Sequence, residues 1–211
     1  MIVNPGTITF VTTDGHRLVL ISHSCEVAGV EGEVRVLVPK KTLVELGKLT
    51  SEHVENLEFG TSENHLFFRV GERLLVSRIL SGQFPNYEMV IPKENDRDIV
   101  IKTDEFAGAL RRAAIMADEQ SRAVRLLIGE NQLEISSTSA DFGEAKETLS
   151  ANCSGEPIEI GFNAQYILDF LVNADSDEVV LSLRDRETQG LIRPKGLEDY
   201  DYNYVVMPMK I

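Results

Sequence analysis

Along most of this chain apolar and polar residues alternate with a period of two, the mark of half-buried β-strands. GTITFVTTDGHRLVLIS (residues 6–22) alternates on both sides of Asp14-Gly15, a dipeptide that favours a tight hairpin turn. EVRVLVP (residues 33–39) predicts another strand. NLEFGTSENHLFFRVGERLLVSRI (residues 56–79) predicts three, with turns near residues 62–64 and 71–72.

Three segments switch to the helical period. The first covers residues 39–48, with Pro39 at a position favoured for the start of a helix and Leu43 and Leu46 on one face. The second covers residues 103–117, with Thr103 as N-cap, Asp104 and Glu105 in the first turn, and Phe106, Leu110, Ala113 and Ala117 inward. The third follows Asn163, another N-cap residue, and turns Ile167, Leu168 and Leu171 inward.

These segments recur in one order: a strand, a short helix, then three strands. EVRVLVP, DIVIK (residues 98–102) and PIEIGF (residues 157–162) each lead one such unit, at a spacing of roughly sixty residues, longer than solenoid repeats. The stretch before Glu33 holds strands only, as a fourth unit without its leading strand and helix would. PNYEMVIPKENDRD (residues 85–98) is the best boundary, a charged connector bearing two prolines. Two units per domain agrees with usual domain sizes. The expected class is α+β, with antiparallel sheets carrying helices on one face.

The 43% apolar content is that of a chain with a real core, and no apolar run is long enough to span a bilayer. The first ten residues lack the basic start and apolar block of a signal peptide. The two cysteines, Cys25 and Cys153, form no framework, so the expected location is a reducing cytoplasm. The net charge of −13 argues against a simple nucleic-acid binder, unless the basic residues are sorted onto one face. They are sorted on two helices. Lys41 and Lys48, flanked by Lys40, lie opposite Leu43 and Leu46; Arg111 and Arg112 lie opposite Phe106 and Leu110. An ordinary solvated face explains either helix alone, whereas both together point to an anionic partner. The helix after Asn163 breaks the pattern, with Asp169, Phe170 and Asn173 expected outward. Ile115, beside Met116, falls on a polar side; a scattered surface hydrophobe and a subunit contact fit it equally.

Catalytic signatures are missing from the sequence: no Gly-rich phosphate loop, no GxSxG, no paired-His motif, no CxxC. Asp14, His16 and Arg17 are the only cluster with acid–base potential, but Asp-Gly is first of all a turn. His23 and Cys25 lack the second pair that a structural zinc, with its roughly four ligands, requires. Neither catalytic residues, a metal nor a cofactor is expected.

Five separated stretches carry a family likeness: TTDGHRLVL, SRILSGQFPNYEMVIP (residues 77–92), RRAAIMADEQSRAVRL (residues 111–126), EIGFNAQYILDFL (residues 159–171) and the terminal YVVMPMKI (residues 204–211). In this order, and across essentially the whole chain, they resemble the bacterial sliding clamp, the β subunit of DNA polymerase III. The resemblance implies three similar domains per subunit, subunits closed head to tail into a ring around duplex DNA, helices lining the hole and sheets outside. Residues 1–91 then correspond to the middle domain, without its first strand and helix, and residues 92–211 to the C-terminal domain.

By the same resemblance, Lys40, Lys41, Lys48, Arg111 and Arg112 face DNA phosphates without reading sequence. Ile115 and Met116 belong to a subunit interface. A groove for short clamp-binding peptides of polymerase, clamp loader and repair proteins takes Thr13, Gly15, His16, Arg17 and Leu18 from the hairpin. The connector adds Pro85, Met89 and Val90; FNAQY adds Asn163 and Tyr166; the tail adds Val205, Met207, Pro208 and Met209. Ser121 and Gln189 complete the set, Ser121 standing where the family can carry an aromatic. Alternation places Val205, Met207, Met209 and Ile211 on one face, with Pro208 ending the ladder. Against the family the chain lacks the whole first domain, so exposed apolar surface, open strand edges and self-association are expected. A stand-alone peptide-binding module that does not encircle DNA is the alternative to a clamp.

Overall fold

The computed structural model describes residues 1–51, 56–139, 143–153 and 155–210. The chain divides into two compact units, Met1–Thr9 with Ser24–Pro85, and Phe10–His23 with Asn86–Ile211.

The first unit holds β1 (Ile2–Asn4), the ends of a hairpin formed by β2 (Thr7–Thr13) and β3 (Arg17–Ser24), β4 (Val34–Arg35), α1 (Lys40–Thr50), β5 (Leu57–Thr61), β6 (His65–Val70) and β7 (Arg73–Arg78). β4, β1 and β2 run side by side, antiparallel, and β5, β6 and β7 form a second antiparallel ladder. β6 alternates as its sequence requires: Leu66, Phe68 and Val70 turn inward under Leu46 of α1, with Val36, Val38, Leu49, Phe59, Leu75 and Ile79 packed around them. Pro39 stands just outside α1, in the extended conformation, and its carbonyl accepts from the N–H groups of Thr42 and Leu43. It acts as N-cap rather than first helical residue.

The second unit holds β8 (Arg97–Lys102), α2 (Thr103–Ala114), β9 (Ala123–Gly129), β10 (Gln132–Ser139), β11 (Gly143–Ser150), β12 (Ile158–Asn163), α3 (Ala164–Leu171), β13 (Glu178–Leu183), β14 (Gly190–Pro194) and β15 (Asp201–Val206). One sheet has the order β11-β10-β9-β12; the other runs β8-β13-β14-β15-β3-β2. The leading strand of each repeat thus pairs with the strands of the other, β12 with β9 and β8 with β13. The first unit repeats half of this exchange, β4 with β1, while β5, the counterpart of β13, is paired on one side only among the described residues.

The core of the second unit forms where α2 and α3 meet the sheets. Phe106, Leu110 and Ala113 of α2 and Ile167, Phe170 and Leu171 of α3 meet Ile99, Leu126, Ile135, Phe162, Leu181 and Ile192. Thr103 is not the N-cap. It is the first helical residue, and its hydroxyl and N–H are drawn instead to the carbonyls of Ser176 (2.6 Å) and Asp177 (2.9 Å). α2 stops at Ala114, and residues 115–117 continue as tight i→i+3 turns, leaving Ala117 half-buried. Phe170, expected outward, is fully buried: α3 is covered on that side too, by Tyr202 and Tyr204 of β15, whose ring centroids lie 5.1 and 5.2 Å from its own.

Candidate functional site

The site grows from the tip of the β2–β3 hairpin. Gly15 sits at φ +88°, a conformation that costs glycine little and other residues much. The Asp14 carboxylate holds the tip, Oδ1 accepting from the N–H groups of His16 and Arg17, both at 3.0 Å, while Thr13 accepts from the Gly15 N–H and donates to the Arg17 carbonyl. Asp14 Oδ2 takes Arg17 Nε at 3.0 Å. Burial pushes the Asp14 carboxyl upward, but the hydrogen bonds from His16 and Arg17 and the guanidinium charge outweigh it and hold it below the usual range. A carboxylate so occupied is a poor general base, which removes the acid–base reading of this cluster.

Arg17 then reaches away from its own hairpin. Its Nη1 donates to Asp169 Oδ2 of α3 at 2.6 Å and to the Tyr204 hydroxyl at 3.3 Å, and its Cζ lies 4.5 Å from the centroid of the Tyr166 ring. The Tyr204 hydroxyl donates in turn to the Tyr166 carbonyl at 2.7 Å. The His16 ring lies nearly parallel to that of Tyr166, with centroids 6.2 Å apart. Burial opposes the Arg17 charge, and the bonds to Asp169, Tyr204 and Asp14 more than offset it, raising its pKa. Burial pushes the Tyr204 hydroxyl up as well.

Asn163 orients the start of α3. Its Oδ1 accepts from the Gln165 N–H at 2.9 Å, the expected cap, and its Nδ2 donates to the Ser121 carbonyl at 3.0 Å. Ser121 therefore enters the site through its backbone.

The other half is apolar. Leu18, Leu191 and Val205 are buried together on one face of the sheet, with Val11, Leu20, Tyr87, Val90 and Ile91 against them. Leu18 and Val205 are paired across β3 and β15, so they form a floor. Gln189 fixes the connector above it, donating to the Val90 carbonyl at 2.9 Å. Met89 beside it is 80% exposed. β15 ends at Val206. The Met207 N–H then donates to the His16 carbonyl at 2.9 Å, and the Met209 N–H to the Gly161 carbonyl of β12 at 2.8 Å. Pro208, which has no N–H, sits between them, and both methionines are half-buried. Ile211 lies outside the described residues.

Of the groove residues predicted from sequence, all but Pro85 fall within the second unit; Pro85 belongs to the first. Lys40, Lys41 and Lys48 are exposed on α1, where Lys48 pairs with Glu45 at 2.9 Å. Arg111 is exposed, and Arg112 makes a two-pronged pair with Glu147, at 2.9 and 2.7 Å. Ile115 is 74% exposed and Met116 half-buried. Sequence reasoning missed Asp169, Tyr204, Gln165 and Arg122. Asp169 stands at i,i+3 from Tyr166 and at i,i+4 from Gln165 on α3, the one available signal. Among the described residues no group of three His, Cys, Asp or Glu side chains is placed to hold a metal ion, and no helix is long and apolar enough to cross a membrane.

Residues 2–86 match the central domain, and residues 88–210 the C-terminal domain, of the DNA polymerase III beta subunit. The beta sliding clamp of Pseudomonas putida is 36% identical over 211 residues, covering 99% of this chain and 56% of its own length. That of Escherichia coli is 33% identical over 201 residues, 95% of this chain and 54% of its own. A crystal structure of the Pseudomonas aeruginosa sliding clamp bound to griselimycin superposes with a TM-score of 0.94 at 32% identity, over all of this chain and 56% of that one. The chain spans about half the length of these relatives. The fold of antiparallel sheets and few helices is theirs, and the chain belongs to the DNA polymerase III beta subunit (sliding clamp) family.

Proposed function

We propose that this chain serves as a non-catalytic DNA sliding clamp, holding the replicative polymerase and other enzymes on duplex DNA through short peptides bound in the groove of the second unit. The observation that carries this reading is the convergence of the hairpin tip, the start of α3, the connector and the tail around the buried floor of Leu18 and Val205. An apolar floor, half-buried methionines that can repack, and a polar rim at His16, Arg17 and Asn163 suit a groove that accepts many peptides. Lys40, Lys41, Lys48, Arg111 and Arg112 meet DNA phosphates, Arg112 more weakly because Glu147 already occupies its guanidinium. Ile115 and Met116 are the subunit contact of an assembled ring. The work is cytoplasmic, where bacterial DNA is copied. We place the domain division at residue 91, inside the connector and a few residues beyond the point where the two family matches meet.

Titration of a labelled, end-capped peptide with two apolar side chains into the wild-type chain, Met207→Ala and Met209→Ala tests the groove. Both variants are expected to bind more weakly, and undiminished binding in both would remove the tail from the site. Retention on circular but not linearised plasmid tests encirclement; equal retention would favour a module that binds peptides without enclosing DNA.

A further inference from the structure

We propose that Asp169 is a positioning residue of the peptide groove: it fixes the Arg17 guanidinium against Tyr166 and so sets where the hairpin tip stands relative to α3. The proposal rests on the groove reading above and deepens it. Arg17 has two carboxylate partners of different kinds. Asp14 is three residues away on the same hairpin and moves with it. Asp169 lies on another element, 152 residues along the chain, and is the charged group on α3 that ties the hairpin to the helix. Its second oxygen is held as well, Oδ1 accepting from Gln165 Nε2 at 2.7 Å, while Gln165 Oε1 accepts from Arg122 Nη1 at 3.2 Å. A polar chain thus runs from Asp14 through Arg17, Asp169 and Gln165 to Arg122, beside the loop that Asn163 anchors at Ser121.

The consequence follows from what Arg17 carries. Its guanidinium covers one face of Tyr166, and the residue before it presents both the ring stacked near Tyr166 and the carbonyl that holds Met207. Loss of the Asp169 contact would leave the guanidinium tied to its own hairpin and to the more distant Tyr204 hydroxyl. Tyr166 would lose its cover, and His16, with the first residue of the tail, would lose its fixed height above the floor. Groups held in advance bind more tightly because less freedom is lost on binding.

The test uses the same labelled, end-capped peptide with two apolar side chains, titrated into wild type, Asp169→Asn and Asp169→Ala. Thermal unfolding and the side-chain NMR signals of Arg17 are recorded on the same samples. An ion pair whose carboxylate is 41% exposed corresponds to at most about a fivefold loss of affinity in Asp169→Ala. Asp169→Asn, which keeps an acceptor of the same shape but no charge, is expected between the two. The resolved Arg17 guanidinium signals of a laterally held group are expected in wild type, broadened in Asn and averaged in Ala. A purely structural role would lower the melting temperature and leave the affinity of the folded protein unchanged. Equal affinities and equal Arg17 signals in wild type and Asp169→Asn would overturn the proposal, even if the Ala variant fails to fold. A wild type that does not bind the peptide would remove the groove itself, whereas a binding wild type with unaffected variants removes only the part assigned to Asp169.

Discussion

Replacing Phe170 by alanine separates the pattern of the sequence from the packing of the fold. The helical wheel of α3 puts Phe170 on the polar side with Asp169 and Asn173, where truncation changes stability by no more than about 0.5 kcal/mol. In the structure its ring is 0% exposed, set between Tyr202 and Tyr204 and embedded in the core of the second unit. Removing a buried phenylalanine forfeits about 2–3 kcal/mol of transfer free energy, and the unfilled cavity brings the total to about 3–5 kcal/mol. Each of the two tilted aromatic contacts adds about 0.5–1.5 kcal/mol of that loss beyond area. The expected loss is a large part of the stability of an ordinary domain. Urea unfolding followed by circular dichroism is the assay, since the chain has no tryptophan. Val172→Ala is the control, at the C-cap of α3 and 68% exposed, with an expected change within about 0.5 kcal/mol. A shift for Phe170→Ala no larger than the control, at unchanged m-value, would refute the buried placement and with it the packing of α3 on β15.

Gly190 has no room for a methyl group: a Cβ there would stand 3.1 Å from Phe162 and 3.3 Å from Leu183, both fully buried, so Gly190→Ala should cost about 1–3 kcal/mol by the same unfolding assay. Asp14 and Asp169 both have carboxyl groups held below the ordinary range, so each stabilises the fold above its unfolded value near pH 4, and this contribution is lost as pH falls through the lower folded value. Acid titration of the melting temperature should therefore fall more steeply below about pH 4 in wild type than in Asp169→Asn; parallel curves would contradict the linkage. Lys41→Ala should reduce the slope of log affinity for duplex DNA against log salt by about 0.9, measured by fluorescence anisotropy, whereas an unchanged slope would place Lys41 away from phosphate. The first unit exposes Leu57, Leu74 and Val76 on the β5-β6-β7 sheet and Leu80 just beyond it, and β5 and β7 are each paired on one side only among the described residues, so light scattering after size exclusion should show concentration-dependent association; a monodisperse monomer over a wide range would count against it.

The strands and the repeat were legible because their signals are local. Alternation in LFFRV or VRLLI fixes which residues face inward whatever lies beyond, and the interval between leading strands is simple arithmetic. Thr103 and Phe170 were misread because their partners are distant. Only the approach of residues 176–177 turns the Thr103 hydroxyl from a cap into a tie, and only β15 closes the second side of α3. Resemblance names the residues of the proposed groove one by one, but not the polar chain behind them. An aspartate on a helix reads as solvated until a hairpin from the other end of the chain brings an arginine within 2.6 Å.

The tail shows why the apolar ending of this acidic chain is tolerable. Val205 belongs to the floor beneath the proposed groove, while Tyr204 and Val206 face the main core, so the last three residues of β15 are buried on both sides of the sheet. Beyond it the chain must leave a sheet without abandoning hydrogen-bonding groups in a half-buried place. It does so by changing partners, from His16 at Met207 to Gly161 at Met209, and the intervening position is filled by the one residue that has no N–H to satisfy. The backbone of both methionines is thereby fixed at two points while their side chains stay half-buried and able to change rotamer. A rigid backbone carrying adaptable side chains can fit different apolar ligands without remaking the strand that holds it. That division of labour predicts that Met207→Leu, which keeps the volume and removes the flexibility, narrows the range of peptides bound by the groove while leaving the melting temperature nearly unchanged. Equal losses of affinity across a panel of peptides would show instead that the methionine contributes bulk alone.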